Sequence, residues 1–311
     1  MKSAGQKIDN AAITRFAPSP TGPLHLGHAY SALLAWDMAT ETDGTFMLRI
    51  EDIDQGRARP EWENEIYDDL HWLGLSWPKP VLRQSENLNR YFVTLRTLWA
   101  YGLLYPCTCT RRDVIAASSA PQEGDAPLHG PDGPVYPGTC RVRAGCPDPG
   151  PLPQGVALRL DMRAALETMG ASARLHFTET GDGAPREVDI SHDHAITAIG
   201  DVVLARRDMG TSYHLAVVID DAAQAITHVT RGADLFDATA IHVILQRLLD
   251  LPTPVYHHHR LIRDEDGKRL AKRDDARAIA TYRAAGETPD DLRRRLGLPV
   301  SGQGLNPRRG S

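Results

Sequence analysis

The chain has no apolar run approaching the roughly 20 residues that a bilayer span needs, so no membrane-spanning helix is expected. Met1 to Asn10 is polar and lacks the apolar centre of a secretory signal. A soluble cytoplasmic protein is the expectation. A surplus of positive charge is also missing. The formal net charge is -5, so bulk electrostatics do not advertise a nucleic-acid binder. Basic residues cluster instead: Arg293, Arg294 and Arg295 are consecutive, and Arg308 and Arg309 adjoin each other. Both clusters read as solvated helix faces. Cysteine is scarce, and Cys107, Cys109, Cys140 and Cys146 are the whole complement. Without a secretory signal, disulfides are not expected, and the clustering favours a metal. There are no internal repeats and no long low-complexity tract.

Hydrophobic residues make up 41% of the 311, enough for a core in one large domain with an insert or in two modest ones. Ile13 to Phe16 reads as a strand, followed by a Pro- and Gly-rich loop through Leu24. A helix is expected from about Leu26 to Thr40, with Leu33, Leu34 and Trp36 on its apolar face. Asp43-Gly44 ends it, and Thr45 to Ile50 reads as a second strand. Such β-loop-α-β units build parallel sheets whose ligands sit at the carboxyl ends of the strands. Helices are expected over Pro60–Leu73 and Asn87–Tyr101. Residues 117–155 are rich in Pro, Gly and Ala and read as a loop-rich insert. Strands are expected at Val156–Leu160, Arg174–Thr178, Val188–Ile190, Leu215–Ile219 and Ile226–Thr230, with order resuming at Asp201–Leu204. Helices are expected at about Ala238–Leu249 and Ala276–Ala285.

His25-Leu26-Gly27-His28 stands where the first loop enters its helix. A helix N-terminus offers unpaired N–H groups and a partial positive charge, which makes it a phosphate site. Two histidines three apart can project from one side of that turn, and Gly27 lets a nucleotide base approach the backbone. Alone, the pattern is common in ordinary loops. Far downstream, Lys268-Arg269-Leu270-Ala271-Lys272-Arg273 is a basic segment able to reach over a triphosphate, though alone it reads as a solvated charge run.

Together these two segments resemble the HIGH and KMSKS signatures of class I aminoacyl-tRNA synthetases. The likeness sharpens to the glutamyl branch in Arg15-Phe-Ala-Pro-Ser-Pro-Thr-Gly-Pro-Leu-His-Leu-Gly-His28 and Leu48-Arg-Ile-Glu-Asp-Ile-Asp54. It continues in Thr211-Ser-Tyr-His-Leu-Ala-Val-Val-Ile-Asp-Asp221 and Val229-Thr-Arg-Gly-Ala-Asp234, so it covers roughly residues 13 to 280. The resemblance implies an α/β fold of the HIGH type, a Rossmann-like parallel sheet split by a zinc-containing insert. It implies a catalytic half over residues 1–105, the insert over 106–195, a second catalytic half with the KMSKS-like loop over 196–280, and a short helical, basic tail over 281–311. It also implies that glutamate and ATP are substrates. The carboxylate would attack the α-phosphorus while His25, His28, the helix N-terminus, Lys272 and Mg²⁺ stabilise the growing charge. ATP would contact His25, Gly27, His28 and Lys272. Ala271 departs from the usual serine of the signature and removes a hydroxyl, while Lys272 is retained as the main cation.

A side-chain carboxylate needs a cation, and arginine is its best geometric match. Arg15 and Arg231 are candidates, and Glu51 is a candidate acceptor for the substrate ammonium. Singly, each reads as a surface or ion-pair residue. The resemblance implies that Arg15, Phe16, Ala17, Pro18, Ser19, Glu51, Tyr213 and Arg231 line a glutamate pocket. Val217 stands where glutamyl-tRNA synthetases usually carry an asparagine, so the pocket is not quite theirs.

Cys107-Thr-Cys109 can chelate one ion, and Cys140 returns across a loop. Zinc takes four ligands in a tetrahedron. The fourth is Tyr136, Cys146 or a histidine such as His129, and thiolate chemistry alone favours Cys146. The family pattern C-x-C…Y-x-x-x-C implies Tyr136 instead. Such an ion would staple a segment with no core of its own. His257-His258-His259 also invites a metal. Neighbours on a strand point to alternate faces, however, so strand and pocket-lining roles are expected.

Only residues 273–311 follow Lys272, too few for the helical anticodon-binding region of a full glutamyl-tRNA synthetase. Shortened members of the branch attach glutamate to the queuosine base of tRNA(Asp), and the resemblance implies that partner. The alternatives are a truncated enzyme charging a tRNA 3′ end, a small-molecule ligase on the same fold, and a zinc-stabilised RNA-binding module without catalysis.

Overall fold

Strands β1 (Ile13–Phe16) and β2 (Thr45–Ile50) lie parallel, with Ile13 opposite Thr45 and Phe16 opposite Leu48. Helix α1 (Leu26–Glu41) crosses between them. The return is tight: a Cβ on Gly44 would fall 2.0 Å from the carbonyl oxygen of Ala12, so only glycine lets β2 start beside β1. This computed structural model describes residues 11–118, 129–141, 150–181, 183–262 and 278–300. Among them, no helix is long and apolar enough to cross a membrane.

The chain continues through α2 (Pro60–Trp72), β3 (Leu82–Arg83), α3 (Leu88–Ala100) and β4 (Leu104–Cys107). Next come α4 (Arg111–Ser118), the short strands β5 (His129–Gly130) and β6 (Gly133–Pro134), β7 (Ala157–Leu160) and α5 (Met162–Met169). Strands β8 (Leu175–Glu179) and β9 (Arg186–Ile190) precede α6 (His192–His194), β10 (Val203–Ala205) and α7 (Tyr213–Ala223). The last elements are β11 (His228–Gly232), α8 (Thr239–Leu248), β12 (Val255–His259), α9 (Ile279–Ala284) and α10 (Pro289–Leu296).

Strands β3, β2 and β1 form one parallel set, and β11, β12 and β8 another, with β9 antiparallel at its edge. The sets meet where the Thr227 N–H donates to the Ile13 carbonyl at 2.9 Å. β1 and β11 therefore stand side by side, and their carboxyl ends deliver Arg15 and Arg231. β8, which falls inside the expected insert, pairs with β12. A separate antiparallel sheet, β10-β7-β4, ends at Cys107. Leu33, Leu48, Ile50 and Leu70 pack on one side of the frame, and Leu160, Leu204, Val217, Ile244 and Tyr256 on the other.

The expected strand at Leu215–Ile219 is instead the middle of helix α7. The Ser212 hydroxyl caps it by accepting from the Leu215 N–H, and every residue from His214 to Asp221 is buried. A helix apolar on all sides carries no 3.6-residue signal and reads like a buried strand. The arginine run is likewise not uniformly solvated. Arg293 is buried against α1 and holds both oxygens of Asp37, at 2.8 and 2.9 Å. Arg294 and Arg295 are the exposed members. Arg308 and Arg309 lie outside the described residues.

Candidate active site and metal centre

The loop after β1 feeds α1 through a reciprocal cap. The Gly27 N–H donates to Nδ1 of His25 at 3.1 Å, and the His25 N–H donates to Nδ1 of His28 at 3.2 Å. The two rings stack with centroids 3.8 Å apart. Because each Nδ1 accepts a backbone hydrogen, the proton of each neutral ring sits on Nε2. The turn thus carries two imidazole N–H donors without either ring being charged. The first turn of α1 contains no acidic side chain, so its positive pole is not neutralised. Gly27 has a local reason as well: a Cβ there would press on the His25 ring at 3.0 Å.

A cavity of about 550 Å³ opens beside this turn. Phe16, Ala17, Pro18, Ser19, His28, Glu51 and Tyr213 all line it. Arg15, His25, Gly27 and Arg231 are not part of that wall. Lys272 and the rest of the basic segment lie outside the described residues.

The charged groups beside the cavity form two separate networks. In the first, Asp221 accepts from Nε of Arg15 at 3.1 Å and from Arg49 at 2.7 Å. Arg49 also reaches Glu51 at 3.2 Å and Gln224 at 2.9 Å. Burial opposes ionisation of Asp221, but the two arginines outweigh it and hold the carboxyl below its ordinary range. Burial dominates at Glu51 and pushes its carboxyl up despite Arg49 and Arg15. In the second network, Arg231 donates to Nε2 of His258 at 3.1 Å, Nδ1 of His242 at 3.0 Å and the Thr239 hydroxyl at 2.6 Å. Burial raises the phenol of Tyr213, and the charge of Arg231 opposes that rise.

Arg49, Asp221, Gln224, Thr239 and His242 are the members to which the sequence reading gave no role. Arg49 and Asp221 stand inside motifs, which was their signal, and His258 was expected to line the pocket with the rest of the histidine run. The three histidines of that run do diverge. His257 meets Thr180, His258 meets Glu179, and His259 meets Ser31.

At the end of β4, the sulfurs of Cys107, Cys109 and Cys140 lie within 4.8 Å of one another. Cys109 and Cys140 approach to 3.5 Å, and the Tyr136 hydroxyl stands 3.5 Å from both Cys107 and Cys109. Sulfurs bound tetrahedrally at zinc distance sit ~3.8 Å apart, so the cluster fits such an ion with little movement. The Arg159 guanidinium donates to the Cys107 sulfur at 3.3 Å and lies over the Tyr136 ring at 3.9 Å. Hydrogen bonds from Tyr136 and the Thr108 backbone pull the Cys140 thiol down to about 6. These three cysteines could hold a metal. Cys146 lies outside the described residues, and the group whose ligand atoms gather here is Cys107, Cys109 and Cys140.

This architecture is that of a class I tRNA synthetase catalytic domain. The family described as "tRNA synthetases class I (E and Q), catalytic domain" matches residues 11–125 and 174–303, and the chain belongs to it. Within that family it falls among the glutamyl-Q tRNA(Asp) synthetases and is an enzyme of the ligase type. It is 62% identical to the Rhodobacter capsulatus glutamyl-Q tRNA(Asp) synthetase, over 92% of this chain and 100% of that one. It is 40% identical to the protein of that name from Symbiobacterium thermophilum, over 89% and 83% of the two chains. A solved glutamate tRNA ligase from Elizabethkingia meningosepticum, in complex with its amino acid, superposes with a TM-score of 0.68 at 27% identity. That match covers 92% of this chain but 60% of the other.

Proposed function

We propose that the chain activates L-glutamate with ATP in the absence of tRNA and passes the glutamyl group to the queuosine base in the anticodon of tRNA(Asp). The observation that carries this reading is that His28, from the anion-binding turn, and Glu51, an acceptor for an ammonium, line one cavity. A nucleotide phosphate and an amino acid can therefore meet there.

ATP enters as its Mg²⁺ complex with its phosphates at the N-terminus of α1. The substrate's α-carboxylate attacks the α-phosphorus in line, a new C–O–P linkage forms, and pyrophosphate leaves. The Nε2–H groups of His25 and His28 and the helix pole donate to the phosphoryl oxygens. Lys272 supplies a cation, and Ala278, the first described residue after it, bridges to His25. Glu51 accepts from the substrate ammonium, and Phe16, Ala17, Pro18, Ser19 and Tyr213 line the pocket. Arg231 and Arg15 stand outside that wall but their charges act on Tyr213 within it, and Arg231 receives the side-chain carboxylate. A diol hydroxyl of the queuosine ring then attacks the activated carbonyl carbon, the ester forms, and AMP leaves. Cys107, Cys109, Cys140 and Tyr136 would hold a zinc ion, whose part would be to fix the insert.

The relative from Rhodobacter capsulatus supports queuosine as acceptor by its name and its full-length match. The test of activation is glutamate-dependent exchange between ATP and labelled pyrophosphate without tRNA. Exchange that appears only when tRNA is added overturns the tRNA-independent step.

A further inference from the structure

Arg15 and Arg231 are the two cations offered for a substrate carboxylate, and their surroundings differ. Arg15 already faces Asp221 at 3.1 Å. Arg231 is 5% exposed, yet among the described residues no carboxylate touches it. Its hydrogen bonds go to two imidazole nitrogens and one hydroxyl oxygen, and its guanidinium lies over the uncharged Tyr256 ring at 5.0 Å. A buried cation is ordinarily paired, and leaving one unpaired is costly.

The hydrogen bonds fix how the rings are protonated. His258 accepts from Arg231 at Nε2, so its proton is on Nδ1, which donates to Glu179. His242 accepts at Nδ1, so its Nε2–H donates to Nδ1 of His214 at 3.1 Å. His214 in turn presents Nε2–H to Asp132 at 3.5 Å. Each imidazole then has one acceptor toward Arg231 or its neighbour and one donor directed away. A proton added to Nδ1 of His242 or Nε2 of His258 would face an N–H of Arg231. Burial drives the pKa of both rings down, that of His258 to about 4, and the charge of Arg231 adds to the effect.

We propose that His242 and His258 are positioning residues that hold Arg231 through uncharged ring nitrogens. Its charge is thereby reserved for the side-chain carboxylate of the substrate, and the pocket selects glutamate over glutamine. This rests on the glutamate-activation reading above. Among the described residues, two acids are linked to Arg231 through these contacts, Glu179 and Asp132, and they stand one and two imidazoles away from it. They orient the rings without neutralising the guanidinium. A carboxylate placed directly on Arg231 would do what Asp221 does to Arg15.

Asparagine and aspartate at position 242 have the same shape and differ in charge. Pyrophosphate exchange is measured with L-glutamate and with L-glutamine for the wild type, His242→Asn and His242→Asp. The Asn variant keeps the glutamate preference. The Asp variant lowers the glutamate-to-glutamine ratio of kcat/KM by about tenfold or more, and the KM for ATP stays at the wild-type value in both. A ratio in the Asp variant equal to that of the Asn variant overturns the proposal. If the Asp variant does not fold, His242→Leu replaces it. The expected result is then a glutamate KM about tenfold above that of the Asn variant with the ATP KM unchanged, and equal glutamate KM values overturn the proposal. Wild-type protein that exchanges with neither amino acid overturns the activation reading itself, and this inference with it, before any variant is compared.

Discussion

His25 and His28 cap each other: the His25 N–H donates to Nδ1 of His28 at 3.2 Å, and the two rings stack at 3.8 Å. The contact builds the start of α1 and, by occupying Nδ1, points the ring proton of His28 at Nε2. Structure and phosphate donation are thus separable at position 28. Asparagine can keep the acceptor for the cap, but its shorter side chain cannot place an N–H where Nε2 stands. His28→Asn is expected to retain the wild-type melting temperature to within a few degrees and to lower kcat in pyrophosphate exchange by about 100-fold. An unchanged kcat contradicts the role.

Arg231→Ala removes the cation assigned to the substrate carboxylate. The cost on glutamate is expected to be on the order of 2–5 kcal/mol, read as a rise in glutamate KM or a fall in kcat/KM. ATP contacts none of the Arg231 network in this account, so its KM should hold. Parallel losses for both substrates would place Arg231 in the scaffold rather than the pocket.

The sequence made the β1-α1-β2 unit readable because its turns and strand lengths are local properties of Asp43-Gly44 and of short apolar runs. The cysteine cluster was readable from spacing. Helix α7 was not, since burial on every side erases helical periodicity. Arg293 was misread because a pattern rule sees a basic run and cannot see Asp37, which is brought to it by the fold. The partners of Arg231 were hidden for the same reason: Thr239 and His242 come from α8 and His258 from β12. Only the adjacency of β11 and β12 brings them together.

Cys109→Ser is expected to abolish stoichiometric zinc. It should make the segment around Tyr136 and Cys140 sensitive to proteolysis, while the parallel sheet, whose core lies elsewhere, keeps its unfolding transition. Elemental analysis and limited proteolysis read both effects. Wild-type protein that is purified without chelators and contains no zinc contradicts the assignment.

Asp69 is fully buried, and neither carboxylate oxygen has a hydrogen-bond partner. Burial raises its pKa from 3.8 to about 6, although Arg283 lies 3.7 Å away. The folded state binds the proton more tightly than the unfolded chain. The contribution of Asp69 is therefore fully favourable below pH 3.8 and is lost as pH rises through about 6. Asp69→Asn removes that dependence. The stability of the variant relative to wild type should be more favourable at pH 8 than at pH 4 by about 2 kcal/mol. Denaturant melts at the two pH values give the comparison, and a difference that does not change with pH contradicts it.

The acceptor is the central claim, and one measurement addresses it directly. Labelled glutamate is offered with ATP to tRNA(Asp) from cells able and unable to make queuosine, and the terminal ribose of half of each pool is blocked beforehand. The account predicts label only in the queuosine-containing pool, with or without a free terminal ribose. Equal labelling of both pools, or labelling that disappears when the terminal ribose is blocked, would contradict it.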